Sequence, residues 1–326
     1  MTAWQSAEPG LAALRRVDLP VPQPGDNELL IKVGVGALNF SDALMIDDRY
    51  QVRPPRPFVV GQEIAGVVAA AGKATRFKPG DLVTGKVDWG GFGEYALLRA
   101  DMAIRVPPKL GMKAASALPV VYTTAMVALT ECTTIKPGET VLVLAAAGGV
   151  GLAAVEIARH FGARIIAAAG GADKCALAKA HGAHDSVDYR EDGWSARVKE
   201  LTGGKGVTVI VDPVGGAIAK EALRLIDFDA RYLIVGFSSG EIPQIPANRL
   251  LLKRAAAIGV YWNHDRDAAM LARVTSRLTE LAEAGAIQPH IGETFAFDQL
   301  PQALTALSER RTTGKVLIAV SQDQPS

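Results

Sequence analysis

The chain of 326 residues reads as an α/β protein in which a doubly wound parallel sheet accompanies a second, mostly β domain. From 140 to about 262, apolar runs alternate with amphipathic helical stretches, the pattern of parallel strands covered by helices on both faces. Before about residue 110, short β-type runs are separated by Gly and Pro, the pattern of a compact β domain. The length suffices for two cores, and 49% hydrophobic against 21% charged residues excludes a disordered chain.

Taken in order, the first domain spans 1–118. Its runs ELLIKVGVGAL (28–38), IAGVVAAAG (64–72), DLVTGKV (81–87) and GEYALLRA (93–100) are divided by VPQPGD, FKPGD and WGGFG. Helical spacing follows in MKAASALPVVYTTAMVALTECT, broken near Pro119 and ended by KPGE at 136–139. The second domain, 119–262, carries six strands at 141–145, 164–169, 185–189, 207–212, 231–237 and 256–262, which right-handed crossovers wind into one sheet. The segment 263–326 holds a helix at about 265–285, a strand near ETFAF, a short helix on PQALTALSERR and a last strand GKVLIAV; it is expected to complete the first domain.

Thirty-five Lys and Arg against thirty-four Asp and Glu leave a net charge of +1, so no global field draws in nucleic acid or an anionic membrane. Only Cys132 and Cys175 are present, which supplies neither a disulfide framework nor paired zinc ligands and suits a reducing cytoplasm. The longest uncharged apolar stretch, 140–155, is interrupted by glycines and falls short of the roughly 20 residues of a membrane helix. The N-terminus lacks the pattern of a secretory signal. The sequence reading is therefore of a soluble, cytoplasmic protein.

The central signal is VLVLAAAGGVGLAAVEIARHFGA at 141–163: a strand, a glycine cluster, then a helix. Aligned to GxGxxG it has Ala146 in the first glycine position, followed by Gly148, Gly149, Val150 and Gly151. Glycines let the backbone approach a pyrophosphate, and the N–H groups and dipole at the helix start stabilise its charge. At the end of the second strand, where an NAD enzyme places a carboxylate on the ribose, stand Ala169, Gly170 and Gly171, with Lys174 three residues on. A carboxylate about 4 Å from a 2′-phosphate would cost roughly 4 kcal/mol per charge pair at an effective dielectric of about 20, so its absence there permits NADPH.

These motifs resemble the zinc-independent quinone oxidoreductases of the medium-chain dehydrogenase/reductase superfamily. LNFSDALMIDDRYQVRPPRPFVVGQEIAGVV (38–68) is similar to the family's N-terminal signature, and AAAGGVG, DPVGG (212–216), GFSSG (236–240) and RRTTGK (310–315) follow in the family's order. The resemblance implies a GroES-like β-barrel domain built from both chain ends, an inserted Rossmann domain, NADPH in the cleft, and a homodimer joined through the last strands at 256–262. Related alcohol dehydrogenases hold catalytic zinc where this chain has Asn39 and Gln62, whose amides are poor zinc ligands. No metal is expected; Glu63 remains as a carboxylate hydrogen-bonded within the barrel.

By the same resemblance, Thr124, Gly148, Gly149 and Val150 contact the pyrophosphate or nicotinamide half, and Phe237, Ser238, Tyr261 and Trp262 wall the nicotinamide. Lys174, Tyr189 and Arg310, with Gly170 and Gly171 beside them, match the 2′-phosphate clamp, Arg311 being the neighbouring alternative to Arg310. Asn39 matches an asparagine near the cofactor ribose and Tyr50 a tyrosine at the substrate mouth; either, or water, is a candidate for stabilising an oxyanion. The implied activity is NADPH-dependent hydride transfer to a quinone. The alternatives are reduction of activated double bonds in 2-alkenals, enones or short enoyl-CoA esters, or a non-catalytic NADPH-binding role.

Overall fold

In the computed structural model, which describes residues 1–321, the chain divides into two compact units. One holds Met1–Val120 together with the chain from Pro289 on, the other Val121–Gln288.

The first unit opens with strands β1 (Thr2–Ser6), β2 (Leu14–Asp18) and β3 (Glu28–Leu38), helix α1 (Phe40–Ile46), then β4 (Phe58–Val59), β5 (Glu63–Ala71), β6 (Leu82–Lys86), β7 (Tyr95–Arg99) and β8 (Ala103–Arg105). β3 is its spine: eleven residues, all but Glu28 and Lys32 buried, paired antiparallel with both β5 and β7.

A continuous helix, Gly111–Glu131, carries the chain into the second unit. It is α-helical over Gly111–Ala115 (α2) and Thr123–Met126 (α3), and wound in wider i→i+5 turns over Leu118–Tyr122 and Val127–Glu131. Pro119 therefore does not break the helix as its sequence predicts; the wide turn absorbs the missing N–H and relieves the ring's clash with the preceding turn. By length and composition this helix could cross a membrane, although the sequence pointed only to 140–155; most of it is buried inside the protein, which marks a core helix.

The second unit contains β9 (Thr140–Leu144), α4 (Gly149–His160), β10 (Arg164–Ala169), α5 (Ala172–Ala180), β11 (Asp185–Asp188), α6 (Trp194–Leu201), β12 (Val207–Asp212), α7 (Gly216–Ala222), β13 (Ile226–Ile234), α8 (Ala247–Lys253), β14 (Ala256–Gly259) and α9 (His264–Ala284). All six strands are parallel, in the order β11-β10-β9-β12-β13-β14, the doubly wound arrangement that the alternation predicts. β9, β10 and β12 are almost continuously apolar because helices cover both their faces. β13 stops at Ile234 and β14 at Gly259, each three residues earlier than the apolar runs suggest. The Val235 and Gly236 N–H groups turn to Asp212 O, and Val260 N–H closes on Ile234 O.

The chain re-enters the first unit with β15 (Ile291–Ala296), α10 (Leu300–Ser308) and β16 (Lys315–Ala319). The sequence reading placed this return at 263, whereas it falls at Pro289. The difference is α9, whose stripe of Leu271, Val274, Leu278 and Leu281 is buried against α3 of the second unit. β16 then lies antiparallel to β3, with Val316 opposite Leu38. That register brings Lys315 beside Asn39, 276 residues away in sequence.

Candidate functional site

β9 ends in a tight turn onto α4. The positive φ of this turn, 48°, falls on Ala145, so Ala146 can stand in the first glycine position. A Cβ on Gly151 would lie 2.2 Å from Ala145 O and 2.7 Å from Ala146 Cα, so only glycine lets the helix start so close to the strand end. Leu152 N–H bonds Gly148 O at 2.9 Å, which leaves the N–H groups of the first helical turn, at Gly149, Val150 and Gly151, without intrahelical acceptors. Together with the dipole of a 12-residue helix they form an anion cradle.

At the end of β10, Gly170 and Gly171 lead into α5, with Lys174 in its first turn. A Cβ on Gly170 would come within 3.3 Å of the Tyr189 ring, and one on Gly171 within 2.4 Å of an Arg190 Nη. The structure thus brings Gly170, Gly171 and Tyr189 together. It also adds two residues that local spacing did not find. The β10–β11 register sets Asp188 opposite Ala169, and Arg190 grips Asp188 through Nε at 3.2 Å and Nη2 at 3.0 Å. That hydrogen bond holds the Asp188 carboxyl down to about 2. The carboxylate missing from the end of β10 is therefore supplied by the neighbouring strand, already paired with a cation.

On the other side of β9, the two remaining motifs of this unit are tied together. Buried Asp212 accepts from Val214 N–H (2.7 Å), Gly215 N–H (3.0 Å) and the Tyr232 hydroxyl; burial pushes its carboxyl up. The DPVGG turn so formed accepts Ser238 N–H on Pro213 O (3.0 Å) and Ser239 N–H on Val214 O (2.9 Å), which holds Phe237 and Ser238 in place. Trp262 Nε1 donates to Thr124 Oγ1 at 3.1 Å. Tyr261 is 65% exposed, beneath the Arg266 guanidinium.

The first unit holds a buried ionic cluster. Lys315 Nζ lies 2.6 Å from Glu63 Oε2 and donates to Asn39 Oδ1 at 2.6 Å, with Lys315 3% and Glu63 0% exposed. Asn39 Nδ2 donates to Glu63 Oε2 (3.0 Å) and Ala37 O (3.3 Å), and Val120 N–H donates to Glu63 Oε1 (2.8 Å). An ammonium can only donate and a carboxylate only accept, so this amide orientation is the one that satisfies both neighbours. Asn39 keeps acceptor capacity on Oδ1, but both its N–H groups are engaged; it has no donor to offer an oxyanion, which corrects that part of its expected role.

Asp42, at the first turn of α1, accepts Asn39 N–H at 2.7 Å. Its Oδ1 has no hydrogen-bond partner among the described residues. Burial pushes this carboxyl up to about 7; the Asn39 N–H and Lys315 pull against the rise, and the Glu63 charge adds to it. Two carboxylates face one ammonium here, so the cluster is neutral when Asp42 keeps its proton.

These donors do not suit zinc. Gln62 Oε1 accepts from the Ser41 hydroxyl, the Asn39 amide is engaged as above, and Glu63 already neutralises an ammonium. Cys132 and Cys175 are unpaired and belong to the second unit. Among the described residues no group of three or more His, Cys, Asp or Glu is placed to hold a metal ion.

Of the remaining first-unit candidates, Tyr50 is half-buried against the apolar cluster of Trp4, Leu38 and Phe58, and Arg310 sits at a φ of 57° in the turn after α10. The functional candidates missed by local reading are Asp188, Arg190, Asp42 and Lys315. For Lys315 the only sequence signal was its place in RRTTGK.

Residues 25–108 match the family model described as an alcohol dehydrogenase GroES-like domain, and residues 149–278 the model described as a zinc-binding dehydrogenase. The chain is 38% identical over 332 residues to quinone oxidoreductase-like protein 2 of Bos taurus, covering 98% of this chain and 95% of that protein. It is 32% identical to the quinone oxidoreductase of Homo sapiens, covering 93% and 92%. Among solved structures, the Escherichia coli quinone oxidoreductase complexed with NADPH superposes with a TM-score of 0.90 at 27% identity, over 98% of this chain and 100% of that one. With a GroES-like domain, a doubly wound nucleotide domain and relatives of this similarity along nearly its whole length, the chain belongs to the quinone oxidoreductase family of the medium-chain dehydrogenase/reductase superfamily.

Proposed function

We propose that this oxidoreductase transfers hydride from NADPH to a quinone without a metal ion. The observation that carries the reading is the second unit's nucleotide surface: an anion cradle at Gly148–Gly151, and 19 residues beyond it a glycine turn flanked by Lys174, Tyr189 and Arg190, where the nearby carboxylate is already neutralised. The cradle holds the pyrophosphate. Lys174 and Tyr189, both in the second unit, contact the 2′-phosphate. Thr124, Phe237, Ser238, Tyr261 and Trp262 shape the nicotinamide end, with the Thr124–Trp262 hydrogen bond fixing one wall.

When bound, the cofactor supplies a hydride. The chain's own work is to orient and to exclude water. Asn39 is locked in one orientation by Lys315 and Glu63. Tyr50 supplies the hydroxyl that hydrogen-bonds the quinone oxygen as it gains charge, with water as the final proton source. The buried ammonium of Lys315 provides a fixed positive charge beside Asn39 and Glu63.

Turnover of 1,4-quinones, enones and enoyl-CoA esters with NADPH and with NADH tests the reading. The highest kcat/KM is expected for a quinone with NADPH, undiminished after dialysis against a zinc chelator. Preference for an enoyl thioester or loss of activity on chelation would overturn it, and NADPH binding with no turnover of any acceptor would make the chain a binding protein.

The reading includes a homodimer. β14 is the edge of the parallel sheet, and the neighbouring α8 exposes Leu251 (81%) and Leu252 (72%). An uncovered strand edge beside exposed leucines is a pairing surface. Light scattering should give twice the chain mass, and Leu251→Lys/Leu252→Lys should shift it towards the monomer; a monomeric parent would remove the dimer from the reading. Both cysteines are unpaired, in keeping with a reducing cytoplasm.

A further inference from the structure

The turn at Gly170–Gly171 is covered by a side chain that belongs to neither the glycine cradle nor the 2′-phosphate residues of the proposed reading. Arg190 lies against Gly171, so close that a Cβ there would meet its Nη2 at 2.4 Å. It reaches that place because β11 pairs in parallel with β10, Ala169 opposite Asp188, and the chain then turns back with Arg190 N–H on Asp188 Oδ1 at 2.9 Å. Asp188 is largely buried, with 13% of its side chain exposed, whereas 64% of the Arg190 side chain faces solvent.

In doubly wound nucleotide domains the end of the second strand meets the adenosine ribose, and its substituent at the 2′ position decides between the two pyridine nucleotides. Here that place carries both kinds of determinant at once. A carboxylate suits a 2′-hydroxyl and repels a 2′-phosphate; a guanidinium attracts the phosphate. Arg190 spends two of its five N–H donors on Asp188, and the other three are uncommitted among the described residues.

We propose that the Asp188–Arg190 pair is the specificity switch of the nucleotide site: Arg190 cancels the repulsion from Asp188 and offers its outer N–H groups to the 2′-phosphate, so NADPH is preferred. Without Arg190, the bare carboxylate would favour the 2′-hydroxyl of NADH. This rests on the proposed pyridine-nucleotide reading and adds to it a pair that acts independently of Lys174.

The test is the ratio of kcat/KM for NADPH to that for NADH, with one quinone acceptor, in the parent and in Arg190→Gln, Asp188→Asn, the double variant and Lys174→Ala. Arg190 is exposed, and unchanged melting temperatures would show that the variants fold. Arg190→Gln should lower the ratio about tenfold or more, as expected for unit charges several Å apart at the protein surface. The change should lie mainly in KM for NADPH rather than in kcat. Asp188→Asn should raise the ratio, and the double variant should recover part of what Arg190→Gln loses, because no bare carboxylate remains.

If the parent prefers NADPH and Lys174→Ala lowers the ratio while Arg190→Gln leaves it within twofold, the switch is wrong and the nucleotide reading stands. A double variant as poor as Arg190→Gln would also overturn the switch, since the repulsion from Asp188 would then play no part. A parent that uses neither nucleotide would overturn both.

Discussion

Replacing Lys315 by methionine is expected to destabilise the protein by about 3–5 kcal/mol, the cost of leaving a buried ion without its partner. Glu63 is fully buried, and Lys315 is the cation in contact with its Oε2. Methionine fills much of the lysine's volume but removes the ammonium, so the Glu63 carboxylate keeps only the Val120 and Asn39 N–H groups, and Asn39 Oδ1 loses its donor. The double variant Lys315→Met/Glu63→Gln should regain at least half of the loss, because a neutral amide no longer demands a counter-charge while its oxygen still accepts from Val120. The urea midpoint at constant m reads both effects. A loss below about 1 kcal/mol for Lys315→Met would show that Glu63 is not held as a buried ion.

The second large effect belongs to Asp42 and depends on pH. Its carboxyl titrates at about 7 in the folded protein against an ordinary 3.8. Between those values the unfolded chain has released this proton and the folded protein still holds it, so stability from this group is complete below about pH 4 and falls as pH rises. The fall ends once pH passes about 7. A gap of roughly three pH units corresponds to roughly 4 kcal/mol. Asp42→Asn removes the titration and keeps an oxygen for the Asn39 N–H. The stability of Asp42→Asn minus that of the parent should therefore rise from pH 4 to pH 7 and level off above it. Taking this difference cancels the opposite trend of carboxylates such as Asp188, whose stabilisation is lost as pH falls towards about 2. A difference that does not change with pH would show that Asp42 ionises normally in the folded state.

Both effects come from a cluster that the sequence does not announce. Asn39 and Glu63 were legible, being at known positions of a contiguous signature, but their chemistry was not. The Asn39 amide looks like a free donor until the antiparallel register of β16 on β3 places an ammonium against its oxygen and leaves its nitrogen to a carboxylate. Asp42 caps α1 by accepting Asn39 N–H, and its complete burial turns it into a group that titrates near neutrality. The nucleotide surface divides in the same way. The loop of Gly148–Gly151 and the glycines after β10 are local patterns, read correctly as parts of a strand–turn–helix unit. The same local reading found no carboxylate at the end of β10, because the carboxylate arrives from β11.

Helix boundaries repeat the lesson. The apolar stripe of α9 was plain in the sequence, yet its periodicity says that it packs and not against what; burial against α3 assigned it to the second unit and moved the domain return from 263 to Pro289. Pro119 was a sound reason to end a helix, and a wide turn was the cheaper solution once the flanking residues were buried.

Periodicity, glycine spacing and motif order were therefore enough for the class of fold, the six-stranded sheet and the glycine turn between β9 and α4, since each depends on residues within a turn or two of one another. Which charges meet was settled by strand register and burial. Electrostatic energy depends on distances of a few ångströms and on exclusion of water, and neither quantity exists until strands far apart in the chain are laid side by side.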